Sequence, residues 1–389
     1  MKPVRIVLTC NYSPWSFYTG GAQRSTHNLA RALAERGHDV TVVFTKAPHE
    51  RIAPPKLPYK IKWAALLDYK SRREAPLRPL TAFTIATEIK RQAASGGPFV
   101  VHAQGEEGAL LPVLRKHYPF GLVVTPRFPS LPEVLTQPGG ASLLQKARLG
   151  LWDAKYLTMG AALRGADYCS PPSFFAGDLM RRAYGLREAQ IRPVHNGIPH
   201  EFIKYRWTPG DGTRPVLFFG RLSFSKGVDT ILEALTLLGD RAPDLVMVGR
   251  GPEKAFIEKE IAAKKLKGKV SLRDWASHDE LGRLLTRASV SLIPSREENF
   301  SLAVLACMAV GTPLITTPVG GTPEVLTHEE NGLLVEAGDA AGLAEALRRY
   351  RNDPGFAAKM GAAASQKTRA HFTWQETARK FEALYETIL

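Results

Sequence analysis

Pro294-Ser295-Arg296-Glu297-Glu298-Asn299-Phe300-Ser301-Leu302-Ala303-Val304-Leu305-Ala306-Cys307-Met308-Ala309-Val310-Gly311 is the stretch on which the reading of the fold turns. Residues 288–293 ahead of it are apolar enough for a buried strand. Beyond the acidic turn, Ser301 is placed to cap a helix over 302–310, and Gly311 to end it in the left-handed conformation. A strand that enters a helix across a polar turn is the repeating unit of a parallel α/β sheet. Glu298 stands just ahead of the helix N-terminus, where Asn299, Phe300, Ser301 and Leu302 bring main-chain amides to the ligand side. Such an end supplies donors for phosphate while a carboxylate accepts from sugar hydroxyls, so the turn suits a polar, partly anionic ligand. Taken alone, the stretch leaves open an ordinary turn with a solvated Glu-Glu pair.

The same residues resemble the signature of the retaining glycosyltransferases of family 4, which have the GT-B fold. That signature is a Glu, seven residues, a second Glu, and then Ala-Met-Ala-x-Gly-Thr-Pro. Glu298 matches the first carboxylate, and Cys307-Met308-Ala309-Val310-Gly311-Thr312-Pro313 matches the tail. The second Glu falls on Ala306. In the family that Glu accepts hydrogen bonds from the ribose hydroxyls, which alanine cannot do. An isolated replacement inside an intact motif implies either a chain altered to lower its activity or one that anchors ribose differently.

At 389 residues and 44% hydrophobic, the chain is long enough for two well-packed domains of roughly 190 residues each. No apolar run approaches the ~20 residues that span a bilayer. Ile6-Val7-Leu8 is too short for a signal-peptide core and reads as a first buried strand. Cys10, Cys169 and Cys307 are an odd set without metal-ligand spacing, which points to core thiols in a reducing, cytoplasmic setting. Charge is unevenly spread. Residues 1–200 carry 27 Lys and Arg against 13 Asp and Glu, or +14, whereas the rest carry 25 against 24. A basic first half implies an anionic partner (a phosphorylated acceptor, an anionic membrane surface or nucleic acid) or simply a solvated basic face.

Residues 4–9 read as a strand that leads through Gly20-Gly21 into a helix over about 22–36, a Rossmann-like opening with glycines where phosphate could approach. Gly20-Gly21-Ala22-Gln23-Arg24 is similar to the family's donor-facing run, which places Gly20 and Gly21 at the donor and Arg24 on the acceptor side. Residues 46–80 are proline-rich and basic, with Tyr59, Trp63 and Tyr69 interleaved, a composition suited either to anionic headgroups or to a solvated loop. His102 ends a strand over 99–104, at the edge where open α/β sheets bind ligands, and Phe-Val-Val-His-Ala-Gln-Gly resembles the corresponding family strand. This makes His102 a candidate catalytic residue. The His that the family commonly carries after the next strand is replaced by Arg127, a candidate for an anionic acceptor.

The polar stretch 207–214 reads as the linker. Beyond it, Gly220-Arg221-Leu222-Ser223-Phe224-Ser225-Lys226-Gly227 follows a strand and precedes a helix, placing two cations near free amides, as a diphosphate requires. It closely matches the family's Gly-Arg-Leu-x-x-x-Lys-Gly. Gly249-Arg250-Gly251-Pro252 lets backbone pass close to a ligand. By resemblance, residues 273–276 hold the nucleobase, with Arg273 and Trp275 beside it.

The expected fold is α/β of the GT-B type, two Rossmann-like domains with parallel sheets facing a central cleft. An acceptor domain spans 1–205, a donor domain 206–372, and a final helix over 373–389 returns to the first. The expected activity is a retaining, metal-independent hexosyl transfer from a nucleotide-diphosphate sugar to a glycan, lipid-linked or phosphorylated acceptor, in the cytoplasm or on the inner face of the plasma membrane. Arg221 and Lys226 would neutralise the leaving diphosphate and Glu298 would orient the sugar. No cofactor, metal ion or nucleic-acid partner is expected. A nucleotide-sugar epimerase shares the fold, and a non-catalytic binder of anionic glycan or nucleic acid fits the basic half and Ala306. An NAD-dependent oxidoreductase is disfavoured, because no Gly-x-Gly-x-x-Gly opens a helix with an acid ~20 residues on.

Overall fold

The computed structural model describes residues 2–16, 20–66, 78–126, 154–210, 213–264 and 266–389. They form two units, Met1–His195 with Trp374–Leu389, and Asn196–Thr373. The first is built on a parallel sheet of β1 (Arg5–Cys10), β2 (Asp39–Lys46), β3 (Lys60–Ala65), β4 (Val100–Ala103), β5 (Gly121–Val124) and β6 (Tyr168–Cys169), in the order 3-2-1-4-5-6. The second repeats that plan with β7 (Val216–Phe219), β8 (Leu245–Val248), β9 (Val270–Arg273), β10 (Ser291–Ile293), β11 (Leu314–Thr316) and β12 (Leu333–Leu334), in the order 12-11-10-7-8-9.

Parallel strands covered on both faces must be apolar on both, so they read as unbroken hydrophobic runs rather than alternations. In the first unit Val7, Val43 and Val101 pack with Ile85, Ile89 and Leu163 on one face. Ile6, Leu8 and Phe44 pack with Leu29, Leu33, Phe381 and Tyr385 on the other. In the second, Val216, Phe218 and Met247 meet Ile231 and Leu347, while Leu217, Phe219 and Val248 meet Leu285, Leu305 and Met308. Each sheet reverses its strand order once, between β1 and β4 and between β7 and β10. At such a reversal the connections leave to opposite faces and open a crevice at the carboxyl ends, where ligands of open α/β sheets bind.

The first boundary falls at 195/196, ahead of the expected 205/206, and the described residues around 207 are not a free linker. Phe202 is buried in the core of the second unit. Tyr205 Oη donates to the Asp279 carbonyl (2.9 Å), Trp207 N to the Val310 carbonyl (2.8 Å), and Trp207 Nε1 to the Ala288 carbonyl (2.7 Å). These aromatic anchors, with Arg369 donating to the Ile203 carbonyl at 2.8 Å, tie the segment down. The final helix, Trp374–Glu386, packs in the first unit, where Glu382 accepts from Arg36 Nη2 (2.7 Å) and pairs with His38 Nε2 (2.9 Å).

His102 belongs to the same core, which corrects its candidacy as a catalytic residue. Its ring is fully buried. The Thr125 hydroxyl donates to the Ser170 carbonyl (2.8 Å) and so accepts from His102 Nε2 (2.7 Å), while Tyr385 Oη donates to Nδ1 (2.7 Å). A ring with both nitrogens engaged and no exposed surface joins β4 to the last helix and is placed as a structural group.

Another polar group lies at the reversal of the first sheet. Glu107, just past β4, is buried, and its Oε1 accepts from Thr9 Oγ1 of β1 (3.0 Å) and from Gln104 N (2.7 Å). Burial, reinforced by the neighbouring Glu106 carboxylate, pushes its carboxyl up to about 7 despite those hydrogen bonds. The folded state therefore holds this proton better than the unfolded chain does. The resulting stability is fully present below the unfolded value of 4.5 and is lost as pH rises through about 7. Denaturant titration of the parent and Glu107→Gln at pH 5 and pH 8 should show the variant gaining relative stability at the higher pH, by about 2–3 kcal/mol. A difference that does not move with pH would contradict this placement of the carboxyl.

Candidate functional site

In the second unit, four loops meet at the carboxyl ends of β7, β8, β10 and β11, across the reversal between β7 and β10. They meet main chain to main chain. A Cβ on Gly249 would lie 1.8 Å from the Gly220 carbonyl oxygen, one on Gly251 2.0 Å from that of Leu222, and one on Gly227 2.1 Å from that of Pro294. On Gly320 it would lie 1.6 Å from the Glu298 carbonyl oxygen, and Gly320 and Gly227 also have φ of +60° and +68°. No side chain fits at these distances, so glycine is a steric requirement at each crossing. Hydrogen bonds complete the knot: Leu222 N to the Arg250 carbonyl (3.0 Å), Arg296 N to the Ser225 carbonyl (2.8 Å), Gly249 N to the Arg273 carbonyl (2.8 Å) and Gly321 N to the Asn299 carbonyl (3.1 Å).

This arrangement brings together residues far apart in sequence. Lys226 Nζ lies 2.6 Å from Glu298 Oε1, with both side chains largely but not fully buried. The same oxygen accepts from Ser295 Oγ at 3.0 Å. Arg221, one residue past Gly220, is exposed. The loop is braced from behind by Arg296, which donates through Nη1 and Nη2 to the two carboxylate oxygens of Asp229 (2.7 Å each) and through Nη1 to the Phe224 carbonyl (2.7 Å). A fork-on-fork pair of this kind fixes geometry as well as adding energy. Arg296 carries no signal in the sequence, because its partnership with Asp229 closes only when β7 and β10 are neighbours.

The helix after Glu298 runs from Leu302 to Val310. Ser301 Oγ accepts from Val304 N, and Gly311 ends the helix at φ 84°. Ser301 also takes the Leu305 amide through its carbonyl, leaving the Leu302 and Ala303 amides for a ligand among the described residues. One expected contact, that of Ala306, is corrected here. Phe300 is buried, tilted toward Phe372 at a ring separation of 6.4 Å, which leaves only its main chain for a ligand. Ala306 is 2% exposed and packs in the apolar core, facing no open surface. Arg273 and Trp275 are exposed at the end of β9. Gly20, Gly21 and Arg24 open the helix Gly21–Glu35 in the first unit, where Gly20 N donates to Gln23 Oε1 (3.0 Å). Arg127 lies outside the described residues. Cations, free amides and a carboxylate on one rim can hold a polyanion whose other end carries hydroxyls.

The family model for Glycosyltransferase Family 4 matches residues 19–202, and that for glycosyl transferases group 1 matches residues 201–367. The glycogen synthase of Mycobacterium tuberculosis is 27% identical over 404 residues, covering 98% of this chain and 94% of that protein. The D-inositol 3-phosphate glycosyltransferase of Corynebacterium diphtheriae is 33% identical over 182 residues, 44% of this chain and 42% of its own. Among solved structures, the sucrose-phosphate synthase from Thermosynechococcus elongatus is similar with a TM-score of 0.79 at 24% identity, covering 99% of this chain and 98% of the other. Anabaena HepE in complex with UDP-glucose is similar with a TM-score of 0.72 at 16% identity, covering 98% and 99%.

Proposed function

This chain belongs to the family 4 glycosyltransferases, whose two domain models it matches in succession, and from that premise we propose that it transfers a hexose, with retention and without a metal ion, from a nucleoside-diphosphate sugar. The fold is GT-B and the protein is a glycosyltransferase. The observation that carries the finer reading is Lys226 Nζ at 2.6 Å from Glu298 Oε1, beside exposed Arg221, on the rim of the sheet reversal. In this reading the diphosphate lies against Arg221, Lys226 and the amides of Leu302 and Ala303. The cations stabilise the charge that grows on the leaving phosphate, the work a divalent ion would otherwise do. Glu298, oriented by Ser295, accepts from sugar hydroxyls. The acceptor hydroxyl attacks from the face that the diphosphate leaves, so the new bond keeps the configuration of the old one.

The first unit takes the acceptor, a glycan, lipid-linked or phosphorylated molecule, and the +14 charge of residues 1–200 supports an anionic one. A cytoplasmic enzyme resting on an anionic membrane is the setting we favour. Among the described residues no helix is long and apolar enough to cross a membrane. Lys60 and Lys62 are exposed on β3, the edge strand, and Phe83 and Leu80 are exposed three residues apart on the helix Arg78–Ala93. The segment between, with Tyr69 and the basic run 70–73, lies outside the described residues.

Arg221→Ala and Lys226→Ala should each lower kcat by about 10²–10³ with little change in Tm, since the charge they meet develops in the transition state. Unchanged turnover in both variants would place the donor elsewhere. Ala306→Glu should lower Tm without tightening donor binding, because it places a carboxylate in the apolar core. Donor affinity raised by roughly one to two decades at unchanged Tm would show that position 306 reaches the ligand after all. In flotation assays the chain should rise with anionic but not neutral liposomes and be released by salt. Equal partition to both lipids, or none, would remove the membrane from the account.

A further inference from the structure

At the amino ends of β7, β8 and β10, on the edge of the second sheet opposite the Lys226 rim, lies a cavity of about 200 Å³. Arg214, Pro243 and Val290 line it, and they stand just ahead of those three parallel strands. Trp207 lines it from the segment that leads into β7, and Tyr350 and Arg351 from the helix Ala340–Asn352. An apolar cavity of ~150 Å³ admits a benzene ring, so this one has room for a ring and a small substituent.

The wall contains two kinds of group. Trp207 Nε1 donates to the Ala288 carbonyl (2.7 Å) and Tyr350 Oη to the Leu314 carbonyl (3.3 Å). Their donors are spent within the protein, so with Pro243 and Val290 they offer a ligand mainly apolar surface. The two arginines differ. Arg214 is half-buried, and its Nη1 donates to the carbonyls of Thr208 (2.6 Å) and Thr286 (3.2 Å). A Cβ on Gly210 would lie 2.3 Å from Arg214 Nε, so the chain passes directly against the guanidinium and helps to fix it. Arg351 is exposed, and its Nη1 donates to the Arg241 carbonyl. Among the described residues neither arginine has a carboxylate partner, and the remaining N–H groups of each find no acceptor. A fixed cation beside an apolar wall, with no counter-ion, is relieved by an anion. A carboxylate meets a guanidinium fork with two oxygens, and a ring attached to it covers the aromatic wall. Bare phosphate would leave that wall wet, and an uncharged ring would leave both cations unpaired.

We propose that this cavity is a second ligand site, separate from the phosphate rim, for a small carboxylate carrying one ring. The ring lies against Trp207, Tyr350 and Val290, and the carboxylate pairs with Arg214 and Arg351. The site uses no residue of the donor reading and stands independently of it. Benzoate is the probe, with benzyl alcohol as its uncharged counterpart and inorganic phosphate as charge without a ring. In isothermal titration of the full chain, benzoate should bind in the millimolar range or tighter, as a ligand of its size allows, and at least about tenfold tighter than either control. Arg351→Gln, at an exposed position, should weaken benzoate about tenfold. Ala357→Leu, which fills the cavity from the helix Pro354–His371, should abolish its binding. Nucleotide binding should be the same in both variants as in the parent. No binding of benzoate, equal binding of either control, or benzoate affinity unchanged in Arg351→Gln would overturn the proposal, and the last of these decides even if Ala357→Leu fails to fold. Loss of nucleotide binding together with benzoate in Arg351→Gln would overturn it too, since both ligands would then share one site.

Discussion

Main chain touching main chain at the carboxyl ends of β7, β8, β10 and β11 is the constraint from which the rest of the second unit follows. Four loops converge where a Cβ would sit 1.6–2.1 Å from a neighbouring carbonyl oxygen, at Gly227, Gly249, Gly251 and Gly320. Glycine carries an entropic cost in the unfolded chain, and here it makes a close approach possible that no other residue allows. The approach brings the Lys226 ammonium and the Glu298 carboxylate to hydrogen-bonding distance although they are 72 residues apart. In the proposed reading the pair serves ligand binding, with the Arg296–Asp229 fork behind it holding the rim in shape.

The two sheets use the same topological reversal differently. At β7/β10 the rim presents cations, free amides and a largely buried carboxylate. At β1/β4 a carboxyl is buried instead, and Glu107 binds Thr9 and Gln104 N in a site that raises its affinity for a proton. One edge keeps its charges at the surface for a ligand; the other holds an acid inside, where charging it costs stability.

Much of this was legible in the sequence because it is written locally. The strands β7, β8 and β9 and the helix Val228–Leu238 lie where apolar runs and flanking glycines put them. Ser301 and Gly311 bound their helix as capping chemistry requires. Non-local features were not legible. That His102 is a core residue depends on Tyr385, 283 positions away, and on Thr125. The unit boundary misread at 205/206 depends on Phe202, Tyr205 and Trp207 finding partners beyond position 275. Phe300 and Ala306 sit inside a motif whose pattern marks a site, yet both side chains lie in the core.

The central claim is that the sugar donor binds at the reversal of the second sheet. Hydrogen–deuterium exchange, with and without saturating GDP or UDP, tests it most directly. The account predicts that protection concentrates in residues 220–227, 249–253, 273–280 and 296–303, with the amides of Leu302 and Ala303 among the most strongly slowed. Protection confined to other parts of the chain, with these four segments unchanged while nucleotide is bound, would contradict it.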